Sequence, residues 1–179
     1  MEDEKDYQIE FDWFKNRLLP PAQASFSLTD ENLLFQASHR SPATVLPNSR
    51  EGHFYPELWR YDVAEIFLGQ KSEAGYFEVN LAPNGAWWMC YFEKTRQPKA
   101  HQPSFNGISA HGQCQKDHWK AQISIPKTIL PPLEKITFNI SLILNSPNQT
   151  FHTLAPLPGH EPDFHQPDSF LSLSDSLPT

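Results

Sequence analysis

The stretch that decides the fold reads LWRYDVAEIFL at residues 58–68 and GYFEVNLAPNGAWWMCYF at residues 75–92. It contains three runs rich in β-branched and aromatic residues, Val63–Leu68, Gly75–Leu81 and Ala86–Phe92, a composition typical of strands. Pro83-Asn84-Gly85 separates the last two runs, and Asn-Gly is a strong turn signal between strands. The stretch therefore predicts two neighbouring hairpins in an antiparallel sheet.

Alternation of apolar and polar residues extends this prediction to the rest of the chain. Residues Tyr7–Trp13, His118–Ile125 and Ile136–Leu144 alternate with the period of a strand that has one buried face. The remaining predicted segments are strands at Ala24–Leu28, Leu33–Ala37, Phe151–Leu154 and Phe170–Leu173, one helical turn at Pro126–Leu130, and irregular chain at Lys94–Gln115. About nine or ten strands with almost no helix predict an all-β fold, a two-sheet antiparallel β-sandwich of immunoglobulin-like or jelly-roll-like architecture. We expect residues 1–179 to form a single domain.

Charge and composition narrow the classes of function. The 179 residues carry a net charge of −7 and no cluster of Lys and Arg. Proteins that bind nucleic acids or anionic membranes concentrate positive charge, so we expect neither partner. The first residues, MEDEKD, lack the basic start and apolar core of a secretory signal, and no apolar run approaches the roughly 20 residues that span a bilayer. We therefore expect a cytoplasmic protein with Cys90 and Cys114 as reduced thiols.

Motifs of catalysis and metal binding are missing from the sequence. It has no Gly-x-Ser-x-Gly, no phosphate-binding glycine loop, no Cys-x-x-Cys and no His-Glu-x-x-His. The eight histidines are scattered, whereas zinc ligands come in pairs at short, regular spacing. We expect no catalytic metal and no other cofactor, although a structural calcium ion stays open because oxygen ligands leave little trace in a sequence. A domain that binds a ligand without catalysis is the function predicted.

Three blocks of sequence carry a family resemblance. Trp59, Asp62, Glu65 and Phe67 form the pattern Trp-x-x-Asp-x-x-Glu-hydrophobic-Phe, and the strand after it contains Phe-Glu-Val-Asn at residues 77–80. The third block reads FHQPDSFLSL at residues 164–173, an aromatic residue followed by Pro, Phe and Leu-x-Leu. With these blocks the chain resembles the DOMON-like superfamily and, within it, the family 9 carbohydrate-binding modules. The resemblance spans about Leu58 to Leu173.

This resemblance implies a site for a saccharide or another small molecule. It implies that Trp59 and Phe164 clamp a sugar ring between them and that Glu65 accepts hydrogen bonds from its hydroxyls, since the apolar face of a sugar stacks on an aromatic ring. The family's Arg on the second strand is replaced by Glu78 here, and its C-terminal Trp by Phe164. We expect a cleft lined by Trp59, Glu65, Glu78 and Phe164, with Asn80, Arg96 and His165 at its margin. The long loops Ser41–Pro56 and Pro156–Pro167 adjoin it in sequence.

Several alternatives remain open at this point. Trp59 could be a core aromatic, and Glu65 a solvated carboxylate on the same face as Val63 and Phe67. The adjacent Trp87 and Trp88 point to opposite faces, so one belongs to the core and the other is a stacking platform or, as we favour, is covered by a loop.

Two other functions also remain open. One is a haem-binding DOMON domain that transfers electrons and uses Met89 with a histidine. The other is a glycoside-acting enzyme that uses Glu65 or Glu78 with His165.

Overall fold

Two antiparallel sheets form the molecule, and they pack face to face. The computed structural model describes residues 5–132 and 135–172. The first sheet has the strand order β1-β2-β3-β9-β8, and the second has the order β11-β10-β4-β5-β6-β7, with β12 also paired to β10. The predicted two-sheet antiparallel sandwich with little helix is confirmed.

The described strands have the following bounds. They are β1 Lys5–Phe11, β2 Arg17–Leu28, β3 Asn32–His39, β4 Val63–Gln70, β5 Tyr76–Leu81, β6 Trp87–Lys94, β7 Gln97–Pro98, β8 Ser109–Cys114, β9 Trp119–Pro126, β10 Ile136–Leu144, β11 Thr150–Thr153 and β12 Leu171–Ser172. Single 3₁₀ turns lie at Leu58–Arg60, Lys127–Ile129 and Pro167–Ser169. The second of these lies within the predicted helical turn.

The main core lies between the two sheets and follows from the alternation of the strands. Every second side chain of β3 and β9 points inward, including Phe35 and Ile123. From the other sheet, Ile66, Val79 and Ile140 pack against them, and all five are fully buried. Burial of a large aliphatic or aromatic side chain stabilises a fold by roughly 1.5–3 kcal/mol, so this layer supplies the main driving force for folding.

A second apolar cluster covers the outer face of the seven-stranded sheet. Val63 and Phe67 on β4 pack there against Trp13, Phe164 and Phe170, which come from segments outside the central strands. An antiparallel sheet commonly has one face in water, but both faces of β4 and β5 are buried here. This covering layer of loops creates the surroundings of the candidate site.

Parts of the strand prediction were wrong. Twelve strands are described rather than nine or ten, and the stretch Lys94–Gln115, predicted to be irregular, contains β7 and β8. β8 reads SAHGQC and is mostly exposed, because it lies at the edge of its sheet. Such a strand shows no alternation of buried and exposed positions that a sequence could reveal. Leu173, the end of the predicted last strand, lies outside the described residues.

The described residues include no helix that is long and apolar enough to cross a membrane.

Candidate functional site

The register of four neighbouring strands places polar residues together on the outer face of the seven-stranded sheet. Ser141 on β10 lies opposite Glu65 on β4, Glu65 lies opposite Asn80 on β5, and Asn80 lies opposite Trp88 on β6. Glu78 is two residues from Asn80 and therefore lies on the same face, in the adjacent row. The strand register therefore places these polar and aromatic side chains next to one another. The alternation within each strand predicts only which face of the sheet each side chain is on.

A cleft of about 370 Å³ opens over this face. Its lining residues are Trp59, Glu65, Phe67, Glu78, Trp88, Phe92, Arg96, Ile143, Phe151, Pro162, Phe164 and His165. The central strands supply its floor, and the segment around residues 162–165 supplies one wall. The volume falls at the small end of the roughly 300–1,000 Å³ typical of small-molecule sites.

Six of the seven site residues predicted from the sequence line this cleft. The cleft brings together Trp59, Glu65, Glu78, Arg96, Phe164 and His165. Asn80 is fully buried beside Glu65 rather than in the lining. Their contact with a ligand stays a prediction.

Glu65 is a buried acid rather than a solvated one. It is 2% exposed, and its Oε2 accepts a hydrogen bond of 2.7 Å from the Ser141 hydroxyl. Burial, together with the charge of Glu78, raises the pKa of Glu65 to about 8, and the Ser141 hydrogen bond only partly opposes this. Glu65 therefore holds its proton at neutral pH and presents a carboxylic acid, which can both donate and accept a hydrogen bond.

Glu78 is the second buried carboxyl of the cleft. Burial raises its pKa to about 7, against the opposing effects of the Asn80 amide and the Arg96 charge. Its Oε2 lies 3.4 Å from Nε2 of His165. The charge of Glu78 raises the pKa of Glu65, so the two carboxyls titrate as an interacting pair.

A chain of hydrogen bonds orients the ring of His165. The backbone N–H of Arg96 donates to the Tyr76 hydroxyl over 3.2 Å, and that hydroxyl lies 2.6 Å from Nδ1 of His165. Burial, reinforced by the Arg96 charge, lowers the pKa of His165 to about 4, so the ring is neutral. Burial also raises the pKa of Tyr76 to about 12, so its hydroxyl keeps its proton. The other ring nitrogen of His165, Nε2, faces Glu78.

The Asn80 side chain is unusual because it is buried without normal hydrogen bonds. It lies close enough to Glu78 to affect the pKa of that carboxyl. Yet within the described part of the chain neither its amide nitrogen nor its amide oxygen has a partner of ordinary hydrogen-bond geometry. A buried amide in this state costs free energy, because it has lost hydrogen bonds to water without replacing them.

The two aromatic residues of the predicted clamp have different surroundings. Trp59 is 47% exposed, and the Arg60 guanidinium lies over its ring at 5.2 Å. Phe164 is almost fully buried among the rings of Trp13, Phe67 and Phe151. Trp59 therefore offers a stacking face as it stands, whereas Phe164 offers only the part of its ring that reaches the cleft.

Arg96 lies in the tight turn between β6 and β7 and lines the cleft. Its guanidinium donates to Oδ1 of Asp163 over 2.7 Å. The same Asp163 oxygen accepts the backbone N–H of His165. Arg96 therefore secures the wall of the cleft, and its charge only partly opposes the raised pKa of Glu78.

Several cleft residues were missed by the sequence prediction. Trp88 lines the cleft, whereas we favoured the prediction that a loop covers it. Trp87 packs in the core, as expected for one of these two adjacent residues. Phe92, Phe151 and Pro162 also line it and carried no signal of their own. The alternation of β6 places Trp88, Cys90 and Phe92 on one face, and this was the available clue for Phe92.

The remaining features bear on the two alternative functions. Within residues 5–132 and 135–172, no group of three or more His, Cys, Asp or Glu residues could hold a metal ion. Met89, the proposed haem ligand, packs in the core between the sheets, on the opposite face of β6 from the cleft. Glu78 and His165, proposed for an enzyme, do lie together.

A larger concave region of about 800 Å³ lies against the other sheet, lined in part by Pro20, His39, Asp117 and Lys120. Both ring nitrogens of His39 already have partners, the Ser41 hydroxyl at 2.7 Å and the Pro20 carbonyl at 3.0 Å. The cleft over Glu65 and Glu78 is therefore the stronger candidate, because two buried carboxyls and an exposed indole line it.

Comparison with known sequences identifies distant relatives. The chain is 25% identical over 182 residues to the UPF0462 protein C4orf33 homolog of Rattus norvegicus, covering 94% of this chain and 87% of the relative. It is 27% identical over 135 residues to UPF0462 protein C4orf33 of Homo sapiens, covering 72% of this chain and 66% of the relative. No family model matches the chain.

Comparison with solved structures is more informative about the fold. A candidate carbohydrate-binding protein from Bacteroides uniformis superposes with a TM-score of 0.74 at 13% identity, covering 94% of this chain and 84% of the other. A family 9 carbohydrate-binding module from Caldicellulosiruptor kristjanssonii, solved with cellotriose, gives 0.64 at 11% identity over 94% and 80% of the two chains. The fold is that of a family 9 carbohydrate-binding module. At these identities the likeness establishes the fold alone.

Proposed function

We propose that the cleft over β4, β5 and β6 binds a saccharide without catalysing its conversion. The observation that carries the proposal is the conjunction of an exposed indole, Trp59, with two buried carboxyls, Glu65 and Glu78, around one cleft. A sugar ring has an apolar face and a rim of hydroxyls. Burial of such a ring requires an aromatic surface for the face and hydrogen-bonding groups for the rim.

The comparisons support this proposal through the fold. Structures with this fold include modules solved with cellotriose and with glucose. The wider assignment to the DOMON-like superfamily belongs to the same proposal and rests on the blocks around Trp59 and Phe77.

Removal of the exposed indole tests the site. Trp59→Ala should weaken the binding of glucose or a cello-oligosaccharide by about 1–3 kcal/mol, because it removes a stacking face. Trp88→Ala should weaken it as well, since Trp88 lines the same cleft. Glu65→Gln should weaken it less, because an amide still offers one donor group and one acceptor. Calorimetric titration measures each affinity.

A matched control is available in Phe54, which is 47% exposed like Trp59 but does not line the cleft. Phe54→Ala should leave affinity unchanged. If Trp59→Ala and Trp88→Ala both bind as tightly as the wild type, the site is wrong. A large fall in melting temperature for Trp59→Ala would instead assign Trp59 to the core.

The absence of catalysis is tested separately. Purified protein should release no product from aryl glycosides, and hydrolysis that is lost in Glu78→Gln would replace the binding proposal with an enzyme.

A further inference from the structure

Among the described residues, no Arg or Lys forms an ion pair with the two buried carboxyls of the cleft. Arg96 is paired with Asp163 at 2.7 Å, and Arg60 is paired with Glu57 at 2.9 Å. His165 lies 3.4 Å from Glu78, and burial, reinforced by the Arg96 charge, lowers its pKa to about 4, so its ring is neutral. Within the described residues, therefore, neither Glu65 nor Glu78 has an ion-paired Arg or Lys, and the Arg96 charge only partly offsets the raised pKa of Glu78.

Unbalanced buried carboxyls are rare because a charge removed from water must be paired or neutralised. Here burial raises the pKa of Glu65 to about 8 and that of Glu78 to about 7, so the pair keeps protons that exposed carboxyls lose. A ligand with a positive charge would pair with the ionised carboxylates and displace those protons. A ligand that carries only hydroxyls would supply no such charge.

The walls of the cleft also suit a cation. Trp59, Trp88 and Phe92 line it, and the face of an aromatic ring attracts an ammonium group, Trp most strongly. The Arg60 guanidinium already lies over the Trp59 ring at 5.2 Å, which shows that this ring accepts a cation. An ammonium group has three N–H donors, and the carboxyls of Glu65 and Glu78, which both line the cleft, provide acceptor oxygens on one face of the sheet.

We infer that the cleft selects a saccharide that carries a protonated amino group, with the ammonium beside Glu65 and Glu78 and the sugar face on Trp59. This inference rests on the proposed saccharide site and specifies the class of its ligand. Paired carboxylates hold the ammonium, and the carboxyl protons leave to solvent as it binds. The net charge of −7 attracts the same class of ligand at longer range.

Three sugars that differ at a single position test the inference: glucosamine, glucose and N-acetylglucosamine. Calorimetry at about pH 7, where the amine is mostly protonated, should show glucosamine binding at least about tenfold more tightly than glucose. N-acetylglucosamine, whose nitrogen carries no charge, should bind no more tightly than glucose. Repetition in buffers of different ionisation enthalpy should reveal protons released with glucosamine and few with glucose.

Substitution of the carboxyl locates the effect. Glu78→Gln should remove most of the preference for glucosamine, whereas Glu93→Gln, an exposed position on β6, should preserve it. If both variants lose the preference equally, the attraction belongs to the net charge and the inference fails. The test with N-acetylglucosamine needs no variant, so it stands even if Glu78→Gln does not fold.

The outcomes separate the two proposals. Glucose and glucosamine bound equally well would overturn this inference and leave the saccharide site standing. Binding of none of the three sugars would overturn both.

Discussion

At the scale of single residues, the chemistry of the cleft depends on how burial changes the pKa of a carboxyl. Glu65 and Glu78 lie on the same face as the apolar Phe67, and burial is the main cause of the raised pKa of both. Ser141 supplies one hydrogen bond to Glu65, too little to replace a shell of water. Two such residues destabilise the fold above neutral pH, because ionisation of a buried carboxyl costs free energy.

Glu65 should make the stability of the protein depend on pH. In the unfolded chain its carboxyl ionises near its ordinary pKa of 4.5, whereas the folded protein holds the proton up to about pH 8. Between these values the folded state binds more protons than the unfolded state, so the free energy of unfolding falls as pH rises, by ~1.4 kcal/mol for each unit of pKa shift. Glu65→Gln should flatten that fall. Urea denaturation from about pH 5 to about pH 8 measures it.

The exposed Glu73 provides the matched control for this experiment. Glu73→Gln should retain the slope of the wild type. A Glu65→Gln variant with an unchanged slope would mean that Glu65 is ionised in the folded protein at neutral pH.

At the scale of elements, the start of β4 is fixed by Asp62. One carboxylate oxygen accepts the backbone N–H of Thr44 over 2.9 Å, and the other accepts that of Ser146 over 2.8 Å. The backbone of Asp62 also donates to the Thr44 carbonyl. Asp62 therefore joins the loop before β4 and the loop after β10 to the strand that carries Glu65.

Asp62→Asn should destabilise the fold without touching the cleft. The amide retains one acceptor oxygen but turns an NH₂ group towards a backbone N–H, which leaves a buried donor unsatisfied and costs about 1–3 kcal/mol. Chemical denaturation measures the loss. Asp30→Asn, in an exposed turn, serves as the control and should change stability little. Equal stabilities for the two variants would contradict the role of Asp62.

Strands with a clear run of apolar residues were predictable from the sequence. Strands whose extended form depends on pairing with a neighbouring strand were not. β4, β5, β6, β9 and β10 carry runs of aromatic and β-branched residues, because both or alternate faces of these central strands are buried. β8 has no such composition, since its partner β9 determines its extended form. The first half of β2 contains Pro20 and Pro21, a residue type that is disfavoured inside strands.

At the scale of the whole molecule, a turn of one sheet and an edge strand of the other come into close contact at a pair of glycines. Gly85 lies in the β5–β6 turn with a φ of +81°, and a Cβ there would lie 2.6 Å from the backbone nitrogen of Gly112 on β8. A Cβ on Gly112 would in turn overlap the backbone of Gly85 and Pro83. Only residues without side chains allow this contact between the edge of one sheet and a turn of the other.

Gly112→Ala should therefore force the sheets apart locally and lower the free energy of unfolding by at least about 1–3 kcal/mol. Gln113→Ala, at the exposed neighbouring position on β8, should cost little. Denaturant titration of both variants gives the comparison. If the Gly112→Ala variant is as stable as the Gln113→Ala variant, the contact between the two glycines is not tight.

The sequence predicted several of the residues that line the cleft, but not their burial or their hydrogen bonds. Alternation places Glu65 with Phe67 on one face, and the resemblance pointed to Trp59 and Phe164. The burial of Glu65 was not evident, because Trp13 and residues 162–165, far away in sequence, complete the cover over the sheet. The Tyr76–His165 contact joins residues 89 positions apart and has no local signature.

The alternation along β4 and β5 also makes the protein a suitable starting scaffold for engineered recognition. Side chains such as Ile66 and Val79 hold the sheets together, while Glu65, Glu78 and Trp88 face the cleft. A combinatorial library that varies only the latter three leaves the packing between the sheets untouched. Directed evolution of the specificity could then proceed without a parallel search for sequences that fold.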